Sequence, residues 1–213
     1  MNLKTRSEIE MDLDGEKLVF RADGSLYLPK YRTVLVADLH LGKEASFRTA
    51  GLPVPRGLDH GTFGRLNRVI ESTECEQVIV LGDLIHNRHS FSDGLAKALD
   101  EWRYSHASIK LVLVKGNHDR YLGKVAHTWF DETNDGMEFG SFWLTHDPQT
   151  EHPSRVIGGH IHPVTNVGKI DQMRCRCFAI DRKKIVLPAF GAFTGGHRVS
   201  ARNLQHCLAI KEV

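Results

Sequence analysis

The chain predicts an α/β body in which one sheet packs on another with helices outside. Three observations predict it. Helical and strand patterns alternate between Thr33 and Val114, short Val/Ile/Leu-rich segments take over from Phe139, and Asp, His and Asn recur directly after those segments. With 213 residues, 41% hydrophobic and 25% charged, the chain can bury a sizeable core, and neither disorder nor a membrane span is indicated. No internal repeat or Pro/Gly/Ser linker divides it, so residues 1–213 are expected to form a single domain.

The elements follow in order. Residues 17–20 and 26–28 read as a hairpin whose turn is supplied by Asp23-Gly24, adding two edge strands before the apolar strand 33–37. Prolines and glycines make 51–57 a loop. From Asp59 to Thr73, Phe63, Leu66, Val69 and Ile70 recur at helical spacing, and a strand at 77–81 completes a β-α-β unit. A second unit begins with Ser92 or Asp93 as N-cap, carries Leu95, Leu99 and Trp102 on one helical face, and ends in a strand at 109–114. Short strands are then expected at 142–145, 155–157, 174–180, 184–187 and 206–211.

The net charge of +2 and a pI near 8.4 do not by themselves nominate a nucleic-acid partner. The four cysteines form no Cys-x-x-Cys pair and the first residues contain no apolar leader, so a reduced, cytoplasmic protein is expected. Cys175 and Cys177 would share one strand face, which suits packing.

Five short motifs carry the chemistry: Asp38-Leu39-His40, Gly82-Asp83, Gly116-Asn117-His118-Asp119, Thr145-His146-Asp147 and Gly158-Gly159-His160-Ile161-His162. Each alone also reads as a helix cap, a turn or a surface histidine. Together they place hard oxygen and imidazole ligands at successive strand ends, rigid points for a metal site. A carboxylate such as Asp83 can bridge two cations, and an amide such as Asn117 ligates without adding negative charge. His118 is then free to serve a leaving group. Mixed oxygen and nitrogen donors without thiolate suit two divalent ions such as Mn, Fe or Zn.

In this order the motifs D-x-H, GD, GNHD, xH and GHxH resemble the calcineurin-like metallophosphoesterase superfamily. The resemblance implies a four-layer αββα sandwich, two mixed β-sheets flanked by helices, with two metals between the sheet edges. It implies that one metal takes Asp38, His40, Asp83 and His162, and the other Asp83, Asn117, His146 and His160. Where phosphatases of the superfamily carry an Asp three residues after the second-motif ligand, this chain has His86. That departure is similar to a nuclease branch in which a second histidine partners the GNHD histidine.

The flanks Leu41-Gly42-Lys43, residues 47–55, and residues 187–196 further resemble the bacterial ligase-associated DNA damage response endonucleases, the PdeM-type family. That likeness implies an Mn-dependent phosphodiesterase on DNA, working in repair beside a DNA ligase and a helicase. Asp83, His118 and His86 would be catalytic, and an in-line attack by metal-activated water is expected. Lys43, Arg48 and Arg56, in and beside the loop after the first motif, are candidates for phosphate contact, with His197 and Arg198 as weaker ones. A phosphodiesterase or pyrophosphatase for a nucleotide or other small phosphoester would use the same centre. A non-catalytic scaffold should have lost ligands that this chain retains.

Overall fold

The computed structural model of the chain describes residues 7–49, 51–54, 57–87, 90–168, 173–192, 194–200 and 204–210. The first sheet contains β1 (Glu8–Leu13), β2 (Glu16–Arg21), β3 (Leu26–Leu28), β4 (Thr33–Ala37), β5 (Gln77–Leu81), β6 (Lys110–Val114) and β7 (Glu132–Asn134), in that spatial order. Pairing is antiparallel from β1 to β4 and parallel from β4 to β7. Four α-helices among the described residues lie between β4 and β7: α1 (Lys43–Thr49), α2 (Leu58–Thr73), α3 (Asp93–Ser105) and α4 (Ala126–Trp129).

The second sheet is built from β8 (Met137–Phe139), β9 (Phe142–Leu144), β10 (Arg155–Gly158), β11 (Pro163–Val167), β12 (Met173–Ile180), β13 (Lys184–Val186), β14 (His197–Arg198) and β15 (His206–Ala209). Its order is β14-β11-β12-β13-β10-β9-β8, with β15 also paired to β12. Two mixed sheets flanked by helices are therefore present, as the sequence led us to expect.

Period-two alternation explains the layering. In β4, Val34 and Val36 face helical side chains such as Phe63, Leu66, Leu95 and Leu99, whereas Leu35 and Ala37 point to the second sheet. Against Leu35, Ile79 and Val112 of the first sheet lie Phe142, Ile157, Phe178 and Ile185 of the second. Helix α3 starts where expected, Leu95 N–H donating to the Ser92 hydroxyl at 3.2 Å. Its Trp102 stacks on Phe63 of α2 at 5.9 Å and donates its indole N–H to Asn67 at 2.7 Å.

One expectation changes, and several elements were not foreseen. The hairpin β2–β3 is not an edge, because β1 lies outside β2, joined through Asp14 and Gly15 at φ 51° and 79°. That Asp-Gly is a hairpin signal of the same kind as Asp23-Gly24. Lys43 and Arg48 sit on the short helix α1, an element not read from the sequence. Strands β7, β8, β11 and β14 lie too far from a long apolar run to be read from periodicity, while Lys211 of the last predicted strand lies outside the described residues. Cys175 and Cys177 are buried as packing residues and all four thiols are free; burial pushes the Cys177 thiol up. Among the described residues, no helix is long and apolar enough to cross a membrane.

Phe178 is almost fully buried and meets Phe20 of the facing sheet edge-to-face at 5.1 Å, so it ties one sheet to the other. Phe178→Ala should lower the unfolding free energy by about 3–5 kcal/mol. Tyr104→Ser on the exposed side of α3 should stay within about 0.5 kcal/mol of the parent. Urea unfolding midpoints measure both.

Candidate active site

The parallel strands β4, β5 and β6 end side by side, and the loops after β4 and β5 continue their ladder. Asp38 N–H donates to Gly82 O (3.1 Å), His40 N–H to Asp83 O (2.9 Å), Leu41 N–H to Leu84 O (2.8 Å) and His86 N–H to Leu41 O (3.0 Å). The second sheet contributes His146 after β9 and His160 and His162 after β10, with Gly159 N–H bonded to His146 O at 3.0 Å. The segment after β13 stitches the two sheets together, since Phe190 N–H reaches Ala37 O (2.8 Å) and Gly191 N–H reaches Asp38 O (3.1 Å).

This convergence bends the backbone sharply. Asp38, His40, Asp83, His160 and His162 all adopt the left-handed conformation, at φ 56°, 46°, 50°, 64° and 50°. L-residues rarely do so, and each instance costs roughly 1–3 kcal/mol that surrounding structure must offset. Gly82, at φ 76°, shares the bend, and a methyl group there would overlap the imidazole of His146. Gly159 gives the same close approach to Asp38, whose carboxylate would meet any β-carbon at that position.

Two donor clusters result. In the first, one ligand atom each from Asp38, His40 and His162 falls within 4.8 Å of the others; in the second, the same holds for Asp83, His146 and His160. His40 Nε2 and His162 Nε2 are 3.1 Å apart, His162 Nε2 is 3.4 Å from Asp38 Oδ1, and His160 Nδ1 is 3.0 Å from His146 Nε2. Asn117 Oδ1 joins the second cluster, 3.1 Å from His146 Nε2. The carboxylate of Asp83 divides between them: Oδ1 lies 3.5 Å from His146 Nε2, while Oδ2 faces His40 Nε2 at 3.9 Å and His118 Nε2 at 3.8 Å.

These residues fit metal ions on their own chemistry. His146 Nδ1 lies 3.0 Å from Leu81 O, and a carbonyl can only accept, so Nδ1 carries a proton and the neutral ring has its lone pair on Nε2. That lone pair faces the oxygens of Asn117 and Asp83, an arrangement that repels unless a cation lies among them. Asp38 Oδ1 is buried without a hydrogen-bond donor although Oδ2 of the same group accepts His160 N–H at 2.8 Å. Burial, with the neighbouring His162 and Lys43, pulls His40 down to about 2, leaving a neutral imidazole able to ligate. For His162 burial acts in the same direction, but the adjacent Asp38 carboxylate prevails and holds the ring above its ordinary value.

Around the clusters, His118 is a third exposed and donates its backbone N–H to Asp83 Oδ1 at 3.1 Å. His86 lies beside it, rings near-parallel with centroids 6.1 Å apart, and burial plus the Lys43 charge lower His86 to about 4. Phe47 of α1 packs edge-on against His86 at 5.7 Å, and Lys43 Nζ lies over the Phe47 ring at 5.5 Å. Arg48, exposed, turns instead to Glu44 at 3.4 Å, and Arg56 lies outside the described residues. His197 and Arg198 are exposed on β14, where His197 N–H bonds His162 O at 3.0 Å.

The residue profile of the calcineurin-like phosphoesterase family matches positions 31–181. The chain belongs to this family. As a calcineurin-like phosphoesterase it is a hydrolase of phosphoesters. It is similar to the nuclease MPE of Pseudomonas putida, with 34% identity, 91% of this chain and 92% of that chain covered, and a TM-score of 0.80. Weaker likenesses are to a protein of unknown function from Aquifex aeolicus (17% identity, 66% and 81% covered, TM-score 0.42) and to Yfce, a phosphoesterase from E. coli (13%, 84% and 99%, 0.44). No curated protein matches.

Sequence reasoning quoted Asp119 within its motif but gave it no task. It is buried, burial raises it to about 6, and it accepts Leu84 N–H and Gly116 N–H, both at 2.8 Å. It thereby clamps the Asp83 loop to the Asn117 loop. Its signal was the acidic residue closing the Asn117-His118 turn. Asp119→Ala strands two buried donors and should cost about 2 kcal/mol or more, whereas Asp119→Asn keeps an acceptor and should cost less. Urea unfolding of the two variants provides the comparison.

Proposed function

We propose that this chain is a dinuclear metal-dependent phosphodiesterase and endonuclease, acting on DNA in a repair setting together with a DNA ligase and a helicase. The reading rests on one observation above all: the two oxygens of Asp83 face different donor clusters. One ion would be held by Asp38, His40, His162 and Asp83, the other by Asp83, Asn117, His146 and His160. The donor set suits Mn, Fe or Zn, and the resemblance of the motifs and their flanks to Mn-dependent phosphodiesterases makes Mn2+ the ion taken here. When bound, the two ions supply the Lewis acidity that makes water nucleophilic near neutral pH. Likeness to a nuclease supports a diester rather than a monoester substrate. The cysteines, free and largely buried, suit the reducing cytoplasm, and residues 1–213 are read as one catalytic domain.

The chain's own residues do the rest. Asp119 and the strand-end hydrogen bonds keep the clusters in register, so little reorganisation is needed when substrate arrives. His118, partly exposed, holds Nε2 3.8 Å from Asp83 Oδ2, where it can give a proton to the departing oxygen. His86 packs alongside and restricts that ring.

His118→Ala should lower kcat by about 10²–10⁴ while leaving the circular dichroism spectrum unchanged. Asp83→Asn should abolish turnover; full activity in either variant refutes the assignment. An Mn2+ assay panel with a phosphodiester, a phosphomonoester, a nucleotide, and single- and double-stranded DNA tests the substrate. Cleavage of monoesters alone overturns the diesterase reading.

Ion binding has its own readout. Mn2+ at a hundredfold its dissociation constant should stabilise the fold by about 2.7 kcal/mol relative to chelated protein. Calorimetric melting with Mn2+ and with EDTA measures this, and the gain should vanish in Asp83→Asn.

A further inference from the structure

Helix α1 occupies one wall of the site, and its placement is fixed from three sides. Gly42 N–H donates to both oxygens of Asp59 at 3.0 and 3.1 Å, Leu58 N–H donates to Glu44 Oε2 at 2.8 Å, and Ser46 Oγ receives the Asn87 amide at 2.9 Å. Asn87 directly follows His86, so α1 is tied to the loop that carries it.

Residues four apart on a helix share a face. Lys43 and Phe47 accordingly lie together on the side towards His86, whereas Arg48, 100° further round, pairs with Glu44. Lys43 stands three residues after His40 and is half-buried. Among the described residues, no carboxylate lies within salt-bridge distance of its ammonium; its one close partner is the Phe47 ring. Burial lowers its pKa, and the Phe47 ring beneath it packs against His86 at 5.7 Å, so the ammonium stands on the side of α1 that borders the clusters. A lysine held there without a counter-ion is an anion site, and the two donor clusters already account for one phosphoryl group.

Resting on the diesterase reading above, we propose that Lys43 binds the phosphate next to the scissile one, and that Phe47 is the positioning residue that holds Lys43 in place. The preferred substrate class is then a chain with consecutive phosphodiesters, because a diester with a single phosphate leaves Lys43 without a partner. Arg48 contributes little to this contact. Phe47 acts through its ring face, which attracts the ammonium and limits the rotamers of a flexible side chain.

Trinucleotides test this directly. The scissile linkage is kept as phosphate while the other linkage is either phosphate or neutral methylphosphonate, placed on each side in turn. With Mn2+, the unmodified protein should show kcat/KM about tenfold higher when the flanking linkage is charged on one of the two sides. Lys43→Met should bring that ratio close to one, whatever happens to the absolute rate, and Lys43→Arg should keep most of it. Phe47→Ala should lower the ratio and Phe47→Tyr should restore it, a rescue that a merely structural role would not give. In a His118→Ala background, Lys43→Met should also reduce the slope of log affinity against log salt for a short single-stranded oligonucleotide by about 0.7.

A ratio and a slope both unchanged by Lys43→Met overturn this proposal alone. If the unmodified protein cleaves no diester, the proposed function falls, and the salt slope still decides for or against Lys43 as a phosphate contact.

Discussion

Two carboxylates, Asp38 and Asp83, are buried at 0% and 2% exposure within a group of imidazoles, and burying charge on that scale is among the costliest things a fold can do. Among the described residues no lysine or arginine pairs with them; the groups beside them are histidine nitrogens and backbone N–H donors. Such an arrangement is tolerable when cations complete it. The neighbouring features serve that constraint. Backbone N–H groups of His118 and His160 point at the carboxylates, Leu81 O sets the tautomer of His146, and Asp119 locks the two loops from behind.

The same constraint explains why the centre lies where two sheets meet. A single parallel sheet presents its strand ends in a row, and the β4 and β5 ends alone would give Asp38, His40 and Asp83 without the remaining imidazoles. The second sheet closes the shell from the opposite side with His146, His160 and His162. Strand-to-strand pairing holds each half rigid, and the apolar layer containing Phe20, Phe142 and Phe178 holds the halves at a fixed separation. Precision at the site is therefore a property of the core between the sheets as much as of the residues that line it.

Much of this was legible in the sequence because the informative residues are of unusual type and stand at strand ends. Strands β4, β5 and β6 and helices α2 and α3 fell where hydrophobic periodicity put them, and the motif residues converge as their order suggested. What escaped was either short or non-local. Strand β1 alternates exposed and half-buried residues, a pattern without a strong apolar face, and α1 is a seven-residue helix with no buried side chain. The left-handed conformation of five site residues leaves no mark in residue identity beyond the modest tolerance of Asp and His for it. Asp119 as a clamp and Phe47 as a neighbour of His86 depend on contacts between loops distant in sequence, which no local pattern encodes.

The chain positions joined at the first cluster bear on how the protein comes into being. His40 and His162 meet across 122 residues, and the residues between them include β5, β6 and β7 of the first sheet and β8, β9 and β10 of the second. Bringing such distant points together carries a large loop-closure entropy, which contacts formed along the way must offset first. Neither donor cluster exists within one sheet: Asp38 and His40 meet His162, and Asp83 meets His146 and His160, only in a molecule whose two sheets have docked.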